Sequence, residues 1–219
     1  MEVKDHSVES GENIVFVVDD DQRVRESLGE LLASCDMRVV TFGSAAEYLS
    51  YPKAPIPTCL ILDVELPDLN GMDLHRQIAQ EDHSGVVFIT GHGDIPSSVR
   101  AIKTGAIDFL TKPFKEADLL RSVASALAQS GEVQRKKAEL SRLHASVATL
   151  TPREREVLPL VASGLLNKQA AAQLGISEIT LQIHRGNIMK KMGAESLAEL
   201  VRMAMTLEIP ITQTRRSQN

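Results

Sequence analysis

The segment VFVVDDD at residues 15–21 decides the fold, because four apolar residues are followed at once by three carboxylates. A short run that is apolar at every position is typical of a central strand of a parallel sheet, which is covered on both faces. The runs LIL at 60–62 and VVFI at 86–89 repeat the pattern. We therefore predict an α/β sheet whose first central strand ends at the aspartates.

Outward from this segment, short β-branched runs alternate with helical patterns over the first 130 residues. The alternation predicts a doubly wound, five-stranded parallel sheet with helices on both faces. The predicted strands are Ile14 to Val18, Arg38 to Thr41, Cys59 to Leu62, Val86 to Thr90 and Ile107 to Leu110. The predicted helices are Gln22 to Ala33, Ser44 to Ser50, Met72 to Gln80, Ile95 to Lys103 and one that starts near Glu116.

The second half has no strand pattern, and helix start signals divide it into four predicted helices. TPRE at 151–154 combines an N-cap Thr, a Pro at the first helical position and a Glu at the third, as in a capping box. Asn167, Ser177 and Ser196 are the expected starts of the next three helices. The four helices are predicted to end at Gly164, Leu174, about Met192 and near Leu207.

Pro159 lies inside the first of these four helices. A proline has no backbone N–H, so the bond to the carbonyl of Arg155 is lost. We therefore predict a kink or a split of the helix near residues 156–159.

Between the halves, apolar residues recur at the helical spacings 7, 3, 4 and 3, at Val133, Leu140, Leu143, Val147 and Leu150. Two interpretations are open: a helical linker that dimerises through this stripe, or a helix whose stripe packs on its own domain. The predicted organisation is a flexible N-terminus (1–12), an α/β domain (13–130), a helical linker (131–147), a four-helix domain (148–207) and a flexible tail (208–219).

The net charge of −5 conceals two halves of opposite sign. Residues 1–130 carry 11 basic and 21 acidic side chains, a net charge of −10, and residues 131–219 carry 13 and 8, a net charge of +5. This asymmetry indicates two different tasks. The basic half suits nucleic acid, although a charge of this size also fits a solvated surface.

Composition excludes several classes of protein. No apolar run reaches the roughly 18–20 residues of a membrane span, and the polar N-terminus lacks a signal-peptide core. The two cysteines cannot form a disulfide framework, so we expect a cytoplasmic protein with no membrane partner. We expect Cys59 and Cys35 in the core and His75 on the surface.

Five polar residues follow the predicted strands directly: Asp19 and Asp20 after the first, Asp63 after the third, Thr90 at the end of the fourth and Lys112 after the fifth. The carboxyl ends of parallel strands share one edge of the sheet, where sites form. Clustered carboxylates need a cation, and hard oxygen ligands suit Mg²⁺. A carboxylate beside a divalent cation, a lysine and a hydroxyl is a plausible phosphoryl acceptor.

Four blocks of the first half resemble a bacterial response-regulator receiver domain, a CheY-like, flavodoxin-like fold, over residues 13–130. The blocks are VFVVDDDQRVRESL, CLILDVELPDLNGMDL, VVFITGHGD and GAIDFLTKPF. The resemblance implies that Asp63 is the phospho-acceptor. It also implies a Mg²⁺ or Mn²⁺ site with Asp20 and Asp63 as direct ligands, Asp19 acting through water, and the backbone carbonyl of Glu65 as a further ligand.

The same resemblance assigns the residues that respond to phosphate. Lys112 is expected to pair with the phosphate, and the hydroxyl of Thr90 is expected to swing onto it. Phe109 occupies the aromatic switch position, where it can signal only by repacking because it has no hydroxyl. The Lys112–Pro113 bond is expected to be cis.

Two helices joined through Gly175 have helix-turn-helix spacing, which an ordinary helical hairpin also shows. The blocks LTPREREVL, GLLNKQAAAQLGIS and TLQIHRGNIMKKM resemble the LuxR/FixJ/NarL-type DNA-binding domain over residues 148–207, and the FixJ and StyR-like subfamily most closely. The resemblance implies that the helix Glu178 to Met192 enters the major groove.

Within that helix, the spacing turns Leu181, Ile188 and Met192 inward. Relatives often carry Lys at positions 182 and 186, and Gln and Gly here predict fewer phosphate contacts. The candidate base-reading residues are Gln182, Ile183 and Asn187, and the candidate phosphate contacts are Lys168, Thr180, Arg185, Lys190 and Lys191.

These features together predict a response regulator. We expect a sensor histidine kinase to phosphorylate Asp63, causing homodimerisation, promoter binding and, through RNA polymerase, activation of transcription. The only reactions expected are phosphotransfer to Asp63 and its self-dephosphorylation. Two alternatives are a constitutive DNA-binding protein with an inert receiver and an Asp-nucleophile phosphohydrolase that uses Glu65 as its acid/base.

Overall fold

The computed structural model describes residues 13–79, 84–91 and 101–210. The strands are β1 (Ile14–Val18), β2 (Arg38–Phe42), β3 (Thr58–Asp63), β4 (Gly85–Thr90) and β5 (Asp108–Thr111). The helices are α1 (Gln22–Ser34), α2 (Ala45–Ser50), α3 (Gly71–Ile78), α4 (Glu116–Ala148), α5 (Pro152–Ala162), α6 (Asn167–Leu174), α7 (Glu178–Met192) and α8 (Leu197–Thr206). Residues 101–103 are also helical. The rest of the predicted helix Ile95 to Lys103, the predicted flexible N-terminus 1–12 and residues 211–219 of the predicted tail lie outside the described residues.

The five strands form one parallel sheet in the order β2-β1-β3-β4-β5. In the register of its centre, Phe16 of β1 lies opposite Val40 of β2 and Leu60 of β3. Asp63 at the end of β3 lies opposite Ile89 of β4. The prediction of a doubly wound parallel fold is confirmed, and the register brings the polar strand ends to one edge.

Helices cover both faces of this sheet, and its central strands β1, β3 and β4 are therefore buried throughout. One face packs against α2 and α3, through residues such as Tyr48 and Leu74. The other face packs against α1 and the start of α4, through Leu32, Leu119 and Val123.

The chain divides into two compact units, residues 1–135 and 136–219, and the division falls within α4. The core of the second unit joins α5 to α8 with the end of α4. Leu143 and Leu150 are buried in that core and Val147 packs against it, so these three members of the stripe pack on their own domain. Leu140 is 37% exposed and Val133 is half-buried, and neither belongs to that core, so dimerisation remains a prediction for these two residues.

Most of the predicted helix starts are confirmed. The Thr151 hydroxyl accepts from the Glu154 N–H and the Glu154 carboxylate accepts from the Thr151 N–H, completing the capping box. Ser177 caps α7 by accepting from the Thr180 N–H. Asn167, however, is the first residue of α6 and not its cap, because its side-chain oxygen accepts from Arg185.

Pro159 does not interrupt α5, which runs unbroken over Pro152–Ala162. The predicted split is therefore wrong, and the kink stays a prediction. The ends of the helix are well held, because the capping box fixes the start and the Ser163 N–H donates to the Pro159 carbonyl. These end contacts explain how the helix can tolerate the missing internal bond.

Two expectations about burial were wrong, and one was right. His75 is buried, because it lies on the face of α3 that packs against the sheet, with its ring edge-on to Phe88. Cys35 is exposed at the end of α1, whereas Cys59 is buried and burial raises the pKa of its thiol. None of the helices in the described ranges has the length and apolar character needed to cross a membrane.

We predict that Gly85→Ala destabilises the first unit, because a Cβ at Gly85 would lie within 2.7 Å of three atoms of Ala126 on α4. Overpacking of this kind costs about 1–3 kcal/mol. Denaturant unfolding followed by tyrosine fluorescence measures it selectively, since the two tyrosines of the chain, Tyr48 and Tyr51, both lie in this unit.

The matched control for that substitution is Gly131→Ala, where a Cβ would meet Pro57 at an ordinary 3.6 Å. We expect Gly131→Ala to leave the first unit as stable as before, or slightly more stable. Equal losses in the two variants would contradict close packing at Gly85.

Candidate functional site

Asp19 follows β1 directly and is fully buried. Its backbone is anchored on both sides: its N–H donates to the Phe42 carbonyl at 3.2 Å, and its carbonyl accepts from the Arg25 guanidinium at 2.6 Å. One carboxylate oxygen accepts from the Asp21 N–H at 2.9 Å. The second oxygen, Oδ2, accepts from the Lys112 ammonium.

Asp63 ends β3 and lies beside Asp19 at this edge. One carboxylate oxygen accepts from the Glu65 N–H at 3.0 Å. The loop that follows is fixed by the Val64 N–H, which donates to the Ile89 carbonyl at 3.1 Å. The Asp63 carboxylate is therefore held by the loop that follows β3, and the backbone of that loop is anchored to β4.

Lys112 connects the two aspartates. Its ammonium lies 2.6 Å from Oδ2 of Asp19 and 2.6 Å from Oδ2 of Asp63. Its backbone N–H donates to the Thr90 carbonyl at 2.7 Å, which brings the residue to the end of β4. The Lys112–Pro113 bond is cis, as expected.

The charges in this cluster depend on one another. Burial raises the pKa of Asp19, against the lowering effect of its hydrogen bonds to Lys112 and to the Asp21 N–H. Burial lowers the pKa of Lys112, but its hydrogen bonds to Asp19 and Asp63 outweigh this effect and the pKa of Lys112 is raised. The ammonium thus compensates two carboxylates that the fold holds close together.

Asp19, Asp20 and Asp63 can each point one carboxylate oxygen into a common space, within 4.8 Å of one another. Asp20 is exposed, unlike its two partners, so a cation can enter from its side. Three carboxylates beside open solvent fit Mg²⁺, which prefers oxygen ligands and retains several waters. The backbone carbonyl of Glu65 belongs to the loop on the same edge.

The predicted switch residues lie near this cluster on neighbouring strands. Thr90 is fully buried at the end of β4. Phe109 on β5 is half-buried, with its ring centroid 6.3 Å from that of Phe88. Phe88 also contacts the buried ring of His75, at 5.5 Å.

Sequence reasoning missed two residues that shape the loop between Asp63 and α3. A Cβ at Gly71 would overlap the carbonyl oxygen of Asp63, so only glycine allows α3 to start there. Asp68 accepts from the N–H groups of Ala45 and Ala46, which ties the loop to the start of α2. The Asn70-Gly71 pair is a turn signal that could have indicated the first of these constraints.

A second candidate surface lies on α6 and α7, which are joined through Gly175 in the left-handed conformation. Leu181, Ile188 and Met192 are buried, as predicted, and turn the rest of α7 outward. Most of the predicted DNA contacts are exposed, namely Lys168, Thr180, Gln182, Ile183, Asn187, Lys190 and Lys191.

Two of the predicted phosphate contacts have partners inside the domain. Lys191 donates to the buried carboxylate of Glu154 at 2.7 Å, and Arg185 is half-buried and donates to Asn167 at 3.2 Å. The hydrogen bond from Lys191 is the main reason that the pKa of Glu154 is lowered. These contacts hold α7 against α5 and α6, and phosphate contact stays a prediction for both cations.

Comparison with known proteins finds one family match in each half of the chain. Residues 15–124 match the response regulator receiver domain family, and residues 148–204 match the luxR family of bacterial regulatory proteins. Nodulation protein W of Bradyrhizobium diazoefficiens is 47% identical over 97% of this chain and 94% of its own length. The transcriptional regulatory protein FixJ of Azorhizobium caulinodans is 43% identical over 87% and 91%. The structure of the response regulator StyR has a TM-score of 0.80 and 44% identity, covering 89% of this chain and 98% of its own.

A receiver domain followed by a helix-turn-helix domain defines the class of two-component response regulators. Within that class, the chain belongs to the FixJ/LuxR type. It is a phosphorylation-dependent transcription regulator, for which a receiver implies a sensor kinase and a LuxR-type domain implies DNA. Receivers bind Mg²⁺ at an acidic cluster like the one described above. Regulators of this kind are non-catalytic, so the phosphohydrolase alternative has no support.

We predict that Lys112→Met tightens Mg²⁺ binding by about tenfold or more, because it removes a positive charge 2.6 Å from two of the candidate ligands. Calorimetric titration of the full chain with MgCl₂ measures the change. Lys115→Met, which removes an exposed neighbouring charge, is the control and is expected to change the affinity less than twofold. Weaker binding in Lys112→Met would contradict competition between the ammonium and the metal.

We predict that Glu154→Gln destabilises the second unit at pH 7, lowering its thermal midpoint by about 4 °C or more. The pKa of Glu154 is lowered in the folded state, so its contribution is present above the ordinary glutamate pKa and is lost as the pH falls toward the folded pKa. The difference from the parent should therefore shrink between pH 5 and pH 3, as followed by circular dichroism. Glu156→Gln, which removes an exposed carboxylate, is the control. An equal loss of stability in Glu154→Gln at pH 7 and at pH 3 would count against the ion pair between Lys191 and Glu154.

Proposed function

We propose that a sensor histidine kinase transfers a phosphoryl group to Asp63. Its carboxylate oxygen would attack phosphorus as the bond to the donor imidazole breaks, giving an acyl phosphate. Asp19, Asp20, Asp63 and the carbonyl of Glu65 would hold Mg²⁺, which neutralises charge on the transferring group. Slow self-dephosphorylation would return the site to its starting state.

The observation that carries this proposal is the pair of 2.6 Å contacts from Lys112 to Asp19 and Asp63. An ammonium at this position already faces the Asp63 carboxylate, to which a phosphoryl group would be added. After transfer it can pair with the phosphate in place of the free carboxylate. Phosphorylation would therefore move the Lys112 ion pair from the free carboxylate to the phosphate.

The phosphate would also draw the hydroxyl of Thr90, and Phe109 would repack against Phe88 as the end of β4 adjusts. This local change of charge would shift the surface around Thr90 and Phe109 from one of two arrangements to the other. We propose that this surface supports a homodimer when Asp63 is phosphorylated. Dimerisation raises DNA affinity by presenting two recognition helices to two half-sites.

The dimer would bind promoter DNA through α7, with Gln182, Ile183 and Asn187 on base edges. Lys168, Thr180, Arg185, Lys190 and Lys191 are the proposed phosphate contacts. Contact with RNA polymerase at the bound promoter would make the protein an activator. With a promoter and RNA polymerase as partners, the protein would act in the cytoplasm.

We predict that Asp63→Asn abolishes the response to phosphate. In the parent chain, beryllofluoride with Mg²⁺ should shift sedimentation toward a dimer and tighten DNA binding at least tenfold. Asp63→Asn should show neither change, because it removes the acceptor oxygen. The measurements are sedimentation velocity and mobility shift on DNA selected from a random pool.

Asp73→Asn is the matched control, since Asp73 is an exposed carboxylate paired with Arg76 on α3. It should respond to beryllofluoride as the parent does. DNA binding that is the same with and without the phosphate analogue would support the constitutive alternative and refute the switch.

A further inference from the structure

The outward face of α7 carries a short apolar stripe. Ile179, Ile183, Gly186 and Lys190 recur at helical spacings of four, three and four, so they lie on one side of the helix. Ile179 is 73% exposed and Ile183 is 59% exposed. These two isoleucines lie one helical turn apart, so their exposed side chains can contact the same partner.

Gly186 adds an independent constraint to the same stripe. A glycine inside a helix lowers its stability relative to alanine. At Gly186 the fold does not require it, because an added Cβ would meet no atom of the described residues within 4 Å. The missing side chain therefore leaves room for something that approaches the helix from outside.

The chemistry of the stripe selects DNA as this partner. The apolar group that the major groove exposes on its base pairs is the 5-methyl group of thymine. Lys190 at the end of the stripe and the exposed Lys168 on α6 supply positive charge for the flanking phosphates. Two exposed isoleucines and a glycine on a helix of this domain suit a groove floor that carries methyl groups.

We propose that Ile179 and Ile183 read the methyl groups of thymines, and that Gly186 lets the backbone of α7 approach the groove closely. The proposal rests on the proposed function, in which α7 enters the major groove, and it names the bases that this helix prefers. Specificity at these positions would depend on methyl contact, with Gln182 and Asn187 adding hydrogen bonds.

The first test removes single methyl groups from the DNA. Full-length protein with beryllofluoride and Mg²⁺ selects duplexes from a random pool, and each thymine of the selected site is then replaced by deoxyuridine. We expect the loss of a contacted methyl to weaken binding by the parent about fourfold. Ile179→Ala and Ile183→Ala should each become insensitive, within twofold, to the methyl that the missing side chain contacts.

Met205→Ala is the control for these variants, because Met205 is an equally exposed apolar residue on α8, away from the stripe. It should keep the full methyl sensitivity of the parent. Unchanged sensitivity in both isoleucine variants would overturn the proposal. If a second copy of the chain covered the stripe, Ile179→Ala and Ile183→Ala would sediment as smaller species than the beryllofluoride-loaded parent and keep its methyl sensitivity, which would also overturn the proposal.

The second test uses opposite effects on stability and binding. Gly186→Ala should raise the thermal midpoint of the protein while weakening DNA binding about tenfold, since the added methyl fills the space at the groove. Gly29→Ala on α1, where a Cβ meets only Thr41 at 4.0 Å, should leave DNA binding unchanged. Parental affinity in Gly186→Ala would overturn the close approach.

Failure of the proposed function would look different from failure of the stripe. Recovery of no duplex at all by the beryllofluoride-loaded chain would refute DNA binding and with it the assignment of the stripe. Tight binding to selected duplexes with no methyl-dependent difference between parent and variants would refute the stripe alone.

Discussion

The Lys112 ammonium is the interaction on which the chemistry of the first unit depends. The parallel sheet delivers Asp19 and Asp63 to one edge and buries both. Burial of a carboxylate without compensation is costly, and two carboxylates side by side also repel each other. The Lys112 ammonium compensates both carboxylates through two contacts of 2.6 Å. Under the proposed function, a bound metal ion or an added phosphoryl group would rearrange these ion pairs. The two ion pairs offset the burial and mutual repulsion of the carboxylates, and under the proposed function the same charges would serve the switch.

The second unit uses its charges differently. Part of its positive charge is used within the domain, where Lys191 neutralises the buried Glu154 and Arg185 holds Asn167. These contacts place α7 against its neighbours and so define which side chains face outward. Two of the three cations of α7, Arg185 and Lys191, have partners inside the domain, which is why the proposals above assign DNA recognition to shape, methyl contact and pairing of two copies more than to bulk charge.

Much of the architecture was predictable because local signals agreed with the tertiary fold. Uninterrupted apolar runs marked the central strands, and the capping box at Thr151 and the cap at Ser177 marked helix starts that the structure confirms. Two of the wrong predictions, those for Asn167 and His75, have a common cause, which is that a residue distant in the chain decided the outcome. Asn167 does not cap α6 because Arg185 takes its side-chain oxygen. His75 is buried because the sheet, through Phe88, lies above that face of α3.

The sequence by itself determined the order of strands and helices, the residue types at the strand ends and the exposed face of α7. Those features follow from periodicity and capping, which act over a few residues. Only the tertiary structure decided which atoms meet: Lys112 between two aspartates, Lys191 on Glu154, and Gly71 beneath the carbonyl of Asp63. Lys112 lies 93 residues from Asp19 and Lys191 lies 37 residues from Glu154, so these contacts form only when the strands and helices that carry the residues pack together.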